Sequence, residues 1–270
     1  MTLPALPDTF YWTDEPWGAA LRCAPLDRVA PHAFTTRQLR LSPTEGEESL
    51  AAAVGSARVA QASQVHGKSV VVVREGESWS QPWPEADVLV SSDPYWSVAV
   101  RAADCVPLLV ADTVSGAVAA VHAGWRGTAS GAAVAALETM TKVFGTAPAD
   151  VVVAIGPSIG PCCYEVGPEL VDAFAAAGHA RHLIDRWFLS TAPPRGSRVR
   201  SALRLDLVGA NRDQLILAGV DEARIHACGL CTAMHLDVLT SYRAEGAQAG
   251  RLAGVISPRP VAGGVRASRA

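Results

Sequence analysis

The sequence lacks both a long apolar segment and an excess of charge of one sign. Its apolar runs are interrupted by Pro107, Asp112 and His122, so none reaches the ~18 residues that a membrane-spanning helix needs. Lysine and arginine number 23 against 26 aspartate and glutamate, a formal net charge of −3. Nucleic-acid binding depends on a basic surface, which this balance does not provide. We therefore expect neither a nucleic-acid partner nor a membrane.

The first residues also lack the pattern of a secretion signal. Residues 1–12 contain no basic segment followed by an apolar one, so we expect a cytoplasmic protein. Six cysteines in 270 residues then fit thiols or metal ligands better than a disulfide framework. The adjacent Cys162 and Cys163 are expected to be reduced, because a disulfide between neighbours is strained.

Hydrophobic residues make up 49% of the chain, which is enough for a large core. Short β-branched segments are interspersed with segments of helical periodicity, which predicts an α/β fold. A β-hairpin predicted over residues 106–111 and 117–122 makes the sheet mixed. We expect one catalytic domain over residues 1–270, with an irregular N-terminal segment to about residue 48. Residues 186–200 are expected to form an exposed loop, and the tail is expected to fray from about residue 258.

Three side chains are candidate metal ligands: His66, Cys105 and His122. Cys105 and His122 are each roughly nine residues from the hairpin turn near residues 113–114, so an antiparallel hairpin brings them close. Two imidazoles and one thiolate suit Zn²⁺, and three protein ligands leave one position open, as in catalytic zinc sites. Such a site would acidify a water or polarise a substrate.

The residues by themselves leave other interpretations open. His122 could be a hydrogen-bonded core histidine, Cys105 a small buried hydrophobe, and His66 a surface residue. Alternatively, Cys105 could be a nucleophile with His122 or His66 as its base and Asp104 as the group that orients the imidazole. A separate metal set could be formed by the CxxC pair Cys228 and Cys231 with His235.

Several residues near these ligands predict an anionic substrate. Gly124 and Gly127 flank Trp125 and Arg126 directly before a helix that is predicted to begin at Thr128, and a helix start favours anions. An arginine within uncharged sequence needs an anionic partner, and phosphate is a common one. Four residues are therefore predicted to bind substrate or phosphate: Arg37, Gln64, Arg126 and Arg243.

The chain carries a series of motifs that occur together in one family. In chain order they are residues 34–37 (FTTR), 63–67 (SQVHG), 103–107 (ADCVP), 122–127 (HAGWRG), 155–167 (IGPSIGPCCYEVG), 231–232 (CT), 241–243 (SYR) and 250–251 (GR). On these motifs the chain resembles the laccase-domain proteins, also called polyphenol oxidases, peptidoglycan editing factors and purine nucleoside phosphorylases. It departs from the usual pattern over residues 234–240, where the family commonly carries aromatic residues.

This resemblance implies a fold, a metal and an activity. The implied fold is a mixed-sheet α/β sandwich like the catalytic domain of cytotoxic necrotizing factor, and the implied zinc ligands are His66, Cys105 and His122. The implied reactions are phosphorolysis of adenosine, inosine, guanosine and methylthioadenosine to the base and ribose-1-phosphate, and deamination of adenosine. The expected partners are thus a small-molecule nucleoside and phosphate.

Our leading hypothesis is a zinc-dependent purine nucleoside enzyme whose catalytic residues are Cys105, His66, His122 and Asp104. Asp104 would carry a proton or orient a ligand imidazole. One alternative is a hydrolase or amidase that uses Cys105 to edit peptidoglycan precursors, and another is a metal-binding scaffold without activity. Copper-dependent phenol oxidation is disfavoured, because its copper sites need roughly ten histidines and the chain has seven.

Overall fold

The computed structural model describes residues 2–42, 46–74, 76, 79–191 and 202–259. The strands in this part of the chain are β1 Phe10–Glu15, β2 Gly18–Cys23, β3 His32–Thr35, β4 Arg58–Ala60, β5 Val70–Val73, β6 Val88–Ser91, β7 Trp96–Ala102, β8 Val106–Asp112, β9 Val118–Ala123, β10 Val151–Ile155, β11 Glu165–Val166, β12 Phe188–Thr191, β13 Ala202–Leu205, β14 Ile225–Ala227 and β15 Leu252–Ile256. The α-helices are α1 Ala24–Asp27, α2 Glu47–Val54, α3 Trp125–Ser130, α4 Ala132–Phe144, α5 Glu169–Ala176, α6 Arg181–Trp187, α7 Leu207–Leu217 and α8 Tyr242–Glu245. Short 3₁₀ turns lie at Pro148–Asp150, Glu222–Arg224, Thr232–Met234 and Gly246–Gln248.

The strands form two large mixed sheets and one small antiparallel sheet. The first sheet has the order β1-β2-β3-β15-β7-β4, and the second has the order β14-β10-β8-β9-β6-β5. Parallel pairs (β4 with β7, β5 with β6, β10 with β14) occur beside antiparallel ones in both. The small sheet has the order β11-β13-β12. The predicted mixed α/β class is confirmed, and the likeness to cytotoxic necrotizing factor stays a prediction.

The two large sheets pack face to face. Successive side chains along each strand point to opposite faces of the sheet, so one set enters the core between the sheets. On β8, Leu109 enters the core between the sheets together with Phe34 of the first sheet. Leu108 and Val110 point to the opposite face, where helices α4 and α7 cover the second sheet. Helix α2 covers the outer face of the first sheet. The result is a layered sandwich with helices on both outer faces.

The predicted hairpin is confirmed, and it determines where the candidate ligands lie. Strands β8 and β9 pair antiparallel with Pro107 opposite His122 and Val106 opposite Ala123. Cys105 therefore lies immediately before the strand that pairs with His122. His66 precedes β5, which joins β9 through β6 at the edge of the same sheet.

The N-terminal segment is more regular than the sequence suggests. Strands β1 and β2 form a hairpin around Pro16 and Trp17, and β3 extends the sheet. Proline is compatible with this arrangement because it occupies the turn, where its fixed φ is suitable, rather than a strand. Up to residue 35, the segment that was expected to be irregular therefore contains three short strands.

The predicted loop over residues 186–200 was also wrong in its first part. Residues 186–191 complete helix α6 and form strand β12. Trp187 is buried against Phe174, and its indole N–H donates to Asp213 at 2.7 Å. The composition of the following residues is typical of a loop, but the packing of Trp187 in the core stabilises regular structure up to residue 191. Residues 192–200 and the tail beyond 259 lie outside the described part of the chain.

The described helices contain no segment long and apolar enough to cross a membrane.

Candidate functional site

The three predicted metal ligands lie together at the end of the β8–β9 hairpin. The candidate ligand atoms of His66, Cys105 and His122 are all within 4.8 Å of one another. The rings of the two histidines meet edge to face with their centroids 4.9 Å apart. His122 is buried, Cys105 is half-buried and His66 is exposed. We call this set the cavity triad, because all three residues line the cavity described below.

Asp87, which the sequence did not single out, holds two parts of this triad. Its carboxylate lies 2.8 Å from His122 Nδ1, and it accepts hydrogen bonds from the backbone amides of His66 (2.9 Å) and Gly67 (2.6 Å). A carboxylate on Nδ1 leaves Nε2 of His122 free to face Cys105 and His66, which is a common arrangement behind metal-binding histidines. The feature of the sequence that could have indicated Asp87 is its position as an acidic residue directly before the buried strand β6.

The charges of Asp87, His122 and Cys105 stabilise one another. Burial opposes ionisation of Asp87, but hydrogen bonds from His122 and the amides of Gly67 and His66 outweigh it and lower its pKa. Burial also opposes ionisation of Cys105, yet the two imidazoles lower the pKa of its thiol to about 7. Contacts with Asp87 and Cys105 overcome burial and raise the pKa of His122 to about 9. Without a metal, the group therefore favours an imidazolium–thiolate pair.

Backbone geometry leaves little room around the triad. A Cβ on Gly124 would lie 2.8 Å from Cys105 Sγ and 3.3 Å from His66 Cδ2. The φ of Gly124 is −72°, so it is this close approach and not a left-handed backbone that favours glycine.

Among the residues that the structure describes, His66 (φ 62°) and Asp104 (φ 86°) are the two non-glycine residues with positive φ. Such strained conformations cluster at functional sites.

Asp104 does not orient a ligand imidazole, and in this the structure corrects one of the two roles considered for it. Its carboxylate accepts hydrogen bonds from Thr232 Oγ1 and from the backbone amide of Arg243, both at 2.6 Å. Asp104 therefore connects the hairpin to the segment that carries Arg243. Its role as a proton carrier stays a prediction.

The triad opens into a cavity of about 1160 Å³ that is rich in arginine and aromatic side chains. Asp104 is the one acidic residue among the described residues that line it. The guanidinium groups along its wall are those of Arg101, Arg126, Arg243 and Arg251. The aromatic residues along its wall are Trp83, Trp125, Tyr164 and Tyr242. The wall thus offers positive charge for an anion and flat surfaces for a ring system.

The arginines of the wall lie against its aromatic rings. The guanidinium carbon of Arg126 is 4.2 Å from the ring centroid of Trp125, and those of Arg101 and Arg243 are 5.0 Å from the rings of Trp83 and Tyr164. Arg126 and Arg243 both line the cavity, and their contact with substrate stays a prediction. Arg101 and Arg251 were not predicted as site residues, although Arg251 lies within the GR motif.

Two other predicted substrate contacts have different partners. Arg37 does not line the cavity; its guanidinium group donates to the carbonyl of Leu236 and forms an ion pair with Glu245 at 3.0 Å. The side-chain amide of Gln64 is paired at both ends with the backbone of Arg101, at 2.7 and 2.8 Å. Gln64 lines the cavity with its side-chain amide already bound to the backbone, whereas Arg37 is bound to the protein outside the cavity, and the predicted substrate contacts of both stay predictions.

The helix after His122 begins earlier than predicted. Helix α3 starts at Trp125 with Gly124 as its N-cap, and Gly131 ends it after six residues. Thr128 is not a cap; it is buried in the helix, where its hydroxyl accepts a hydrogen bond from Asn211 at 2.9 Å. A helix this short adds little to anion binding, so the arginine side chains are the main source of positive charge.

The alternative metal set at Cys228, Cys231 and His235 is replaced by a different one. In the described part of the chain, Cys231 groups with Cys162 and Cys163 instead. Cys228 is buried in the core between the sheets, and burial raises the pKa of its thiol to about 12.

The chain is similar to known proteins over most of its length. The family described as multi-copper polyphenol oxidoreductase laccase matches residues 43–259. A purine nucleoside phosphorylase of Deinococcus radiodurans is 34% identical over 248 residues, which cover 84% of this chain and 89% of that protein. An adenosine deaminase from an unknown prokaryotic organism is 36% identical over 165 residues, which cover 61% of this chain and 59% of that one. The solved structure of the hypothetical protein YfiH from Bacillus licheniformis matches with a TM-score of 0.80 and 25% identity, over 94% of this chain and 100% of that one.

Proposed function

This chain belongs to the family described as multi-copper polyphenol oxidoreductase laccase, and from that premise we propose that it is a zinc-dependent purine nucleoside phosphorylase that also deaminates adenosine. The observation that carries the proposal is the cavity triad at the floor of a cavity lined by four arginines and four aromatic residues. The names of its relatives support the same substrate class. Copper oxidase chemistry is not proposed, because seven histidines are too few for multicopper sites.

The donor set of the triad fits zinc. Two imidazoles and a thiolate within 4.8 Å of one another match the ligands and the spacing of a three-ligand catalytic site. Asp87 fixes the tautomer of His122 by its contact with Nδ1. When bound by His66, Cys105 and His122, zinc would supply Lewis acidity to a polar group of the substrate.

In phosphorolysis, a phosphate oxygen forms a bond to C1′ of the ribose while the bond from C1′ to the purine nitrogen breaks. The base leaves with the electron pair and needs a proton. Guanidinium groups can hold phosphate through paired, charge-assisted hydrogen bonds. Arg126 has no carboxylate partner among the described residues, and its stacking on Trp125 leaves its N–H groups free to bind phosphate.

A purine base stacks on flat apolar surfaces, and aromatic side chains are among the residues that line the cavity. Trp83 and Trp125 present their rings along it, as do Tyr164 and Tyr242. These residues come from segments other than 234–240, where the family's usual aromatic residues are missing. Stacking can therefore be supplied from different parts of the chain. Tyr164 would remain a proton donor at neutral pH, since burial and the nearby Cys105 raise its pKa to about 12.

The test uses full-length protein that has been depleted of metal and reloaded with zinc. With adenosine and phosphate, we expect adenine and ribose-1-phosphate, together with a smaller yield of inosine. An Arg126→Lys variant keeps the charge but loses paired hydrogen bonding, so its KM for phosphate should rise more than its KM for adenosine. If neither adenine nor inosine forms at any zinc loading, the proposal is wrong.

A second function, a cysteine-dependent amidase, is favoured by one specific observation. The sequence of contacts Asp87–His122–Cys105 has the order of an orienting acid, a base and a nucleophile, and the pKa of Cys105 is about 7. Iodoacetamide treatment of zinc-loaded protein, followed by mass spectrometry, separates the two functions. A zinc ligand would be protected from alkylation, whereas rapid modification of Cys105 would favour the amidase.

A further inference from the structure

A second group of metal-binding side chains lies outside the cavity. The sulfur atoms of Cys162, Cys163 and Cys231 are all within 4.8 Å of one another, and none of the three residues lines the cavity. We call this group the sulfur cluster. It brings a vicinal pair from the GPCC motif next to a cysteine that lies almost 70 residues further along the chain. The proposed nucleoside activity does not use these residues.

The backbone fixes the distance between the two segments. Ser158 and Cys231 form an isolated parallel bridge, and the amide of Thr232 donates to the carbonyl of Ser158 at 3.0 Å. The chain then turns at Gly160, whose amide donates to Cys231 Sγ at 3.2 Å. A Cβ on Gly160 would lie 3.3 Å from Cys162 Sγ and 3.4 Å from Cys231 Cβ. The close approach of the sulfurs is thus built into the backbone.

The surroundings of the sulfur cluster favour negative charge on one of its sulfurs, that of Cys231. Arg204 donates to the carbonyls of Pro161 and Cys162, and its Nε is buried without a hydrogen-bond partner among the described residues. Burial raises the pKa of the Cys163 thiol, and the positive charge of Arg204 offsets this only in part. Burial opposes ionisation of Cys231, but hydrogen bonds, first that from the Gly160 amide, lower the pKa of its thiol. One sulfur is therefore prepared to ionise before the others.

The three cysteines of the sulfur cluster differ in their exposure to solvent. Cys162 is exposed, Cys163 is half-buried and Cys231 is buried. An ion could therefore enter from solvent at Cys162 and be held against a buried sulfur. Water would have access from one side only.

We propose that Cys162, Cys163 and Cys231 bind one copper(I) ion through three thiolates. Thiolate sulfur is a soft ligand that selects copper(I), zinc or iron–sulfur clusters. Structural zinc is almost always four-coordinate, and in the described part of the chain no fourth histidine, cysteine or carboxylate belongs to the group. Copper(I) can be three-coordinate with sulfur ligands, so it fits this set of three thiolates better than zinc does.

Binding is a ligand exchange without electron transfer. Each thiol that is still protonated releases its proton to solvent as its sulfur forms a bond to copper, and copper stays in the +1 state. The complex of three thiolates with Cu⁺ carries two negative charges, which the guanidinium group of Arg204 partly offsets. Metal binding and proton release are coupled, so affinity should rise with pH.

The bound ion would join two parts of the cavity wall. Tyr164 follows Cys163 directly and lines the cavity. Thr232 follows Cys231 and donates to Asp104. Copper(I) would therefore tie together segments that otherwise meet through a few hydrogen bonds, and its binding should raise the thermal unfolding midpoint.

The experiment titrates full-length, fully reduced protein with copper(I) from a bicinchoninate complex in the absence of oxygen. A Cys105→Ser background removes the thiol of the cavity triad. In this background we expect one copper(I) per chain, a sulfur-to-copper absorption band in the near ultraviolet, and three sulfur neighbours by X-ray absorption spectroscopy.

Two variants keep the proposal falsifiable. Adding Cys162→Ser, which changes an exposed side chain and should not disturb folding, is expected to weaken copper(I) binding by more than about 100-fold. Adding Cys228→Ala instead, a control at the other cysteine of the CxxC pair, should leave the affinity unchanged. Absence of stoichiometric binding, a spectrum with two sulfur neighbours, or equal affinity in the Cys162→Ser variant would each overturn the proposal.

Discussion

The cavity triad and the sulfur cluster each bring three potential metal ligands within 4.8 Å, yet they have different surroundings. The cavity triad combines nitrogen and sulfur, opens into an arginine-lined cavity, and is supported by a buried carboxylate at Asp87. The sulfur cluster contains sulfur alone, lies outside the cavity, and is supported by backbone amides and Arg204. The comparison indicates that the neighbours, more than the number of ligands, decide what a site can do.

The thiols show this difference most directly. Cys105 is more buried than Cys162, yet contacts with two imidazoles lower the pKa of its thiol to about 7. Cys162 is exposed at the surface, yet burial of its sulfur and contact with Cys231 and Cys163 raise its pKa to about 12. Exposure alone therefore does not predict which cysteine reacts.

The largest expected effect comes from His66, which belongs to the proposed zinc site but not to a cysteine–histidine–aspartate arrangement. His66→Ala should lower zinc affinity and kcat/KM for adenosine by more than about 100-fold, since it removes a direct ligand. Zinc content by atomic emission and a phosphorolysis assay would measure both. His66 is exposed, so folding should persist, and copper(I) binding by the sulfur cluster is the internal control. Unchanged zinc content would rule out the proposed ligand set.

The next effect is a contrast in alkylation rates in metal-free protein. The pKa of Cys105 is lowered to about 7, so its thiolate fraction rises as the pH increases through 7 and levels off above it. Cys162, with a pKa of about 12, stays protonated over this range. Even after correction for the weaker nucleophilicity of a low-pKa thiolate, iodoacetamide should modify Cys105 roughly 100-fold faster at pH 7.

Peptide mass spectrometry at several time points and pH values would measure this ratio. Faster modification of Cys162 than of Cys105 at pH 7 would show that accessibility, and not the electrostatic environment, governs reactivity in this protein.

A smaller effect is expected at Asp87. Asp87→Asn replaces an acceptor beside His122 Nδ1 with a group that can present N–H, so the imidazole should lose its preferred tautomer. Zinc affinity should fall about 10- to 100-fold, while copper(I) binding to the sulfur cluster should be unaffected. Competition with a chromophoric chelator measures the first quantity, and circular dichroism checks that the fold is intact. An equal loss at both sites would mean that the variant acts through global destabilisation.

The smallest effect is a matter of packing. In Gly124→Ala, the new Cβ would meet Cys105 Sγ at 2.8 Å, closer than real Cβ contacts allow. Overpacking of this kind typically costs about 1–3 kcal/mol, so zinc affinity should fall by about 10-fold. Gly67→Ala is a matched control next to His66, because its Cβ would meet only ordinary contacts, the nearest at 3.6 Å. If both variants bind zinc equally well, the space around Cys105 does not limit the site.

Two members of the cavity triad, Cys105 and His122, could be placed together from a local element, whereas His66 joined them as a zinc ligand through the family resemblance. The hairpin of β8 and β9 could be derived from alternating apolar residues and a turn, and it fixes Cys105 near His122. This hairpin depends on periodicity over neighbouring residues, which a single sequence contains.

The remaining features depend on contacts between distant parts of the chain. Nothing local shows that Arg37 pairs with Glu245, more than 200 residues away, rather than facing a phosphate. The amide of Gln64 is similarly occupied by Arg101. Cys231 was grouped with Cys228 by its short spacing, whereas sheet pairing at Ser158 brings it to Cys162. The partner of a polar side chain is decided by topology, which the sequence pattern specifies only indirectly.

The arginines of the cavity wall have a kinetic consequence. Four arginines and one aspartate are among the described residues that line the cavity, so its mouth attracts anions before any contact is made. At physiological ionic strength such attraction extends about 8 Å, which is far enough to guide a small anion during its approach. Phosphate should therefore associate more slowly as salt is added, whereas an uncharged nucleoside should be almost indifferent. The two substrates of one reaction would then respond differently to the same change in the medium, and their order of arrival would depend on ionic strength.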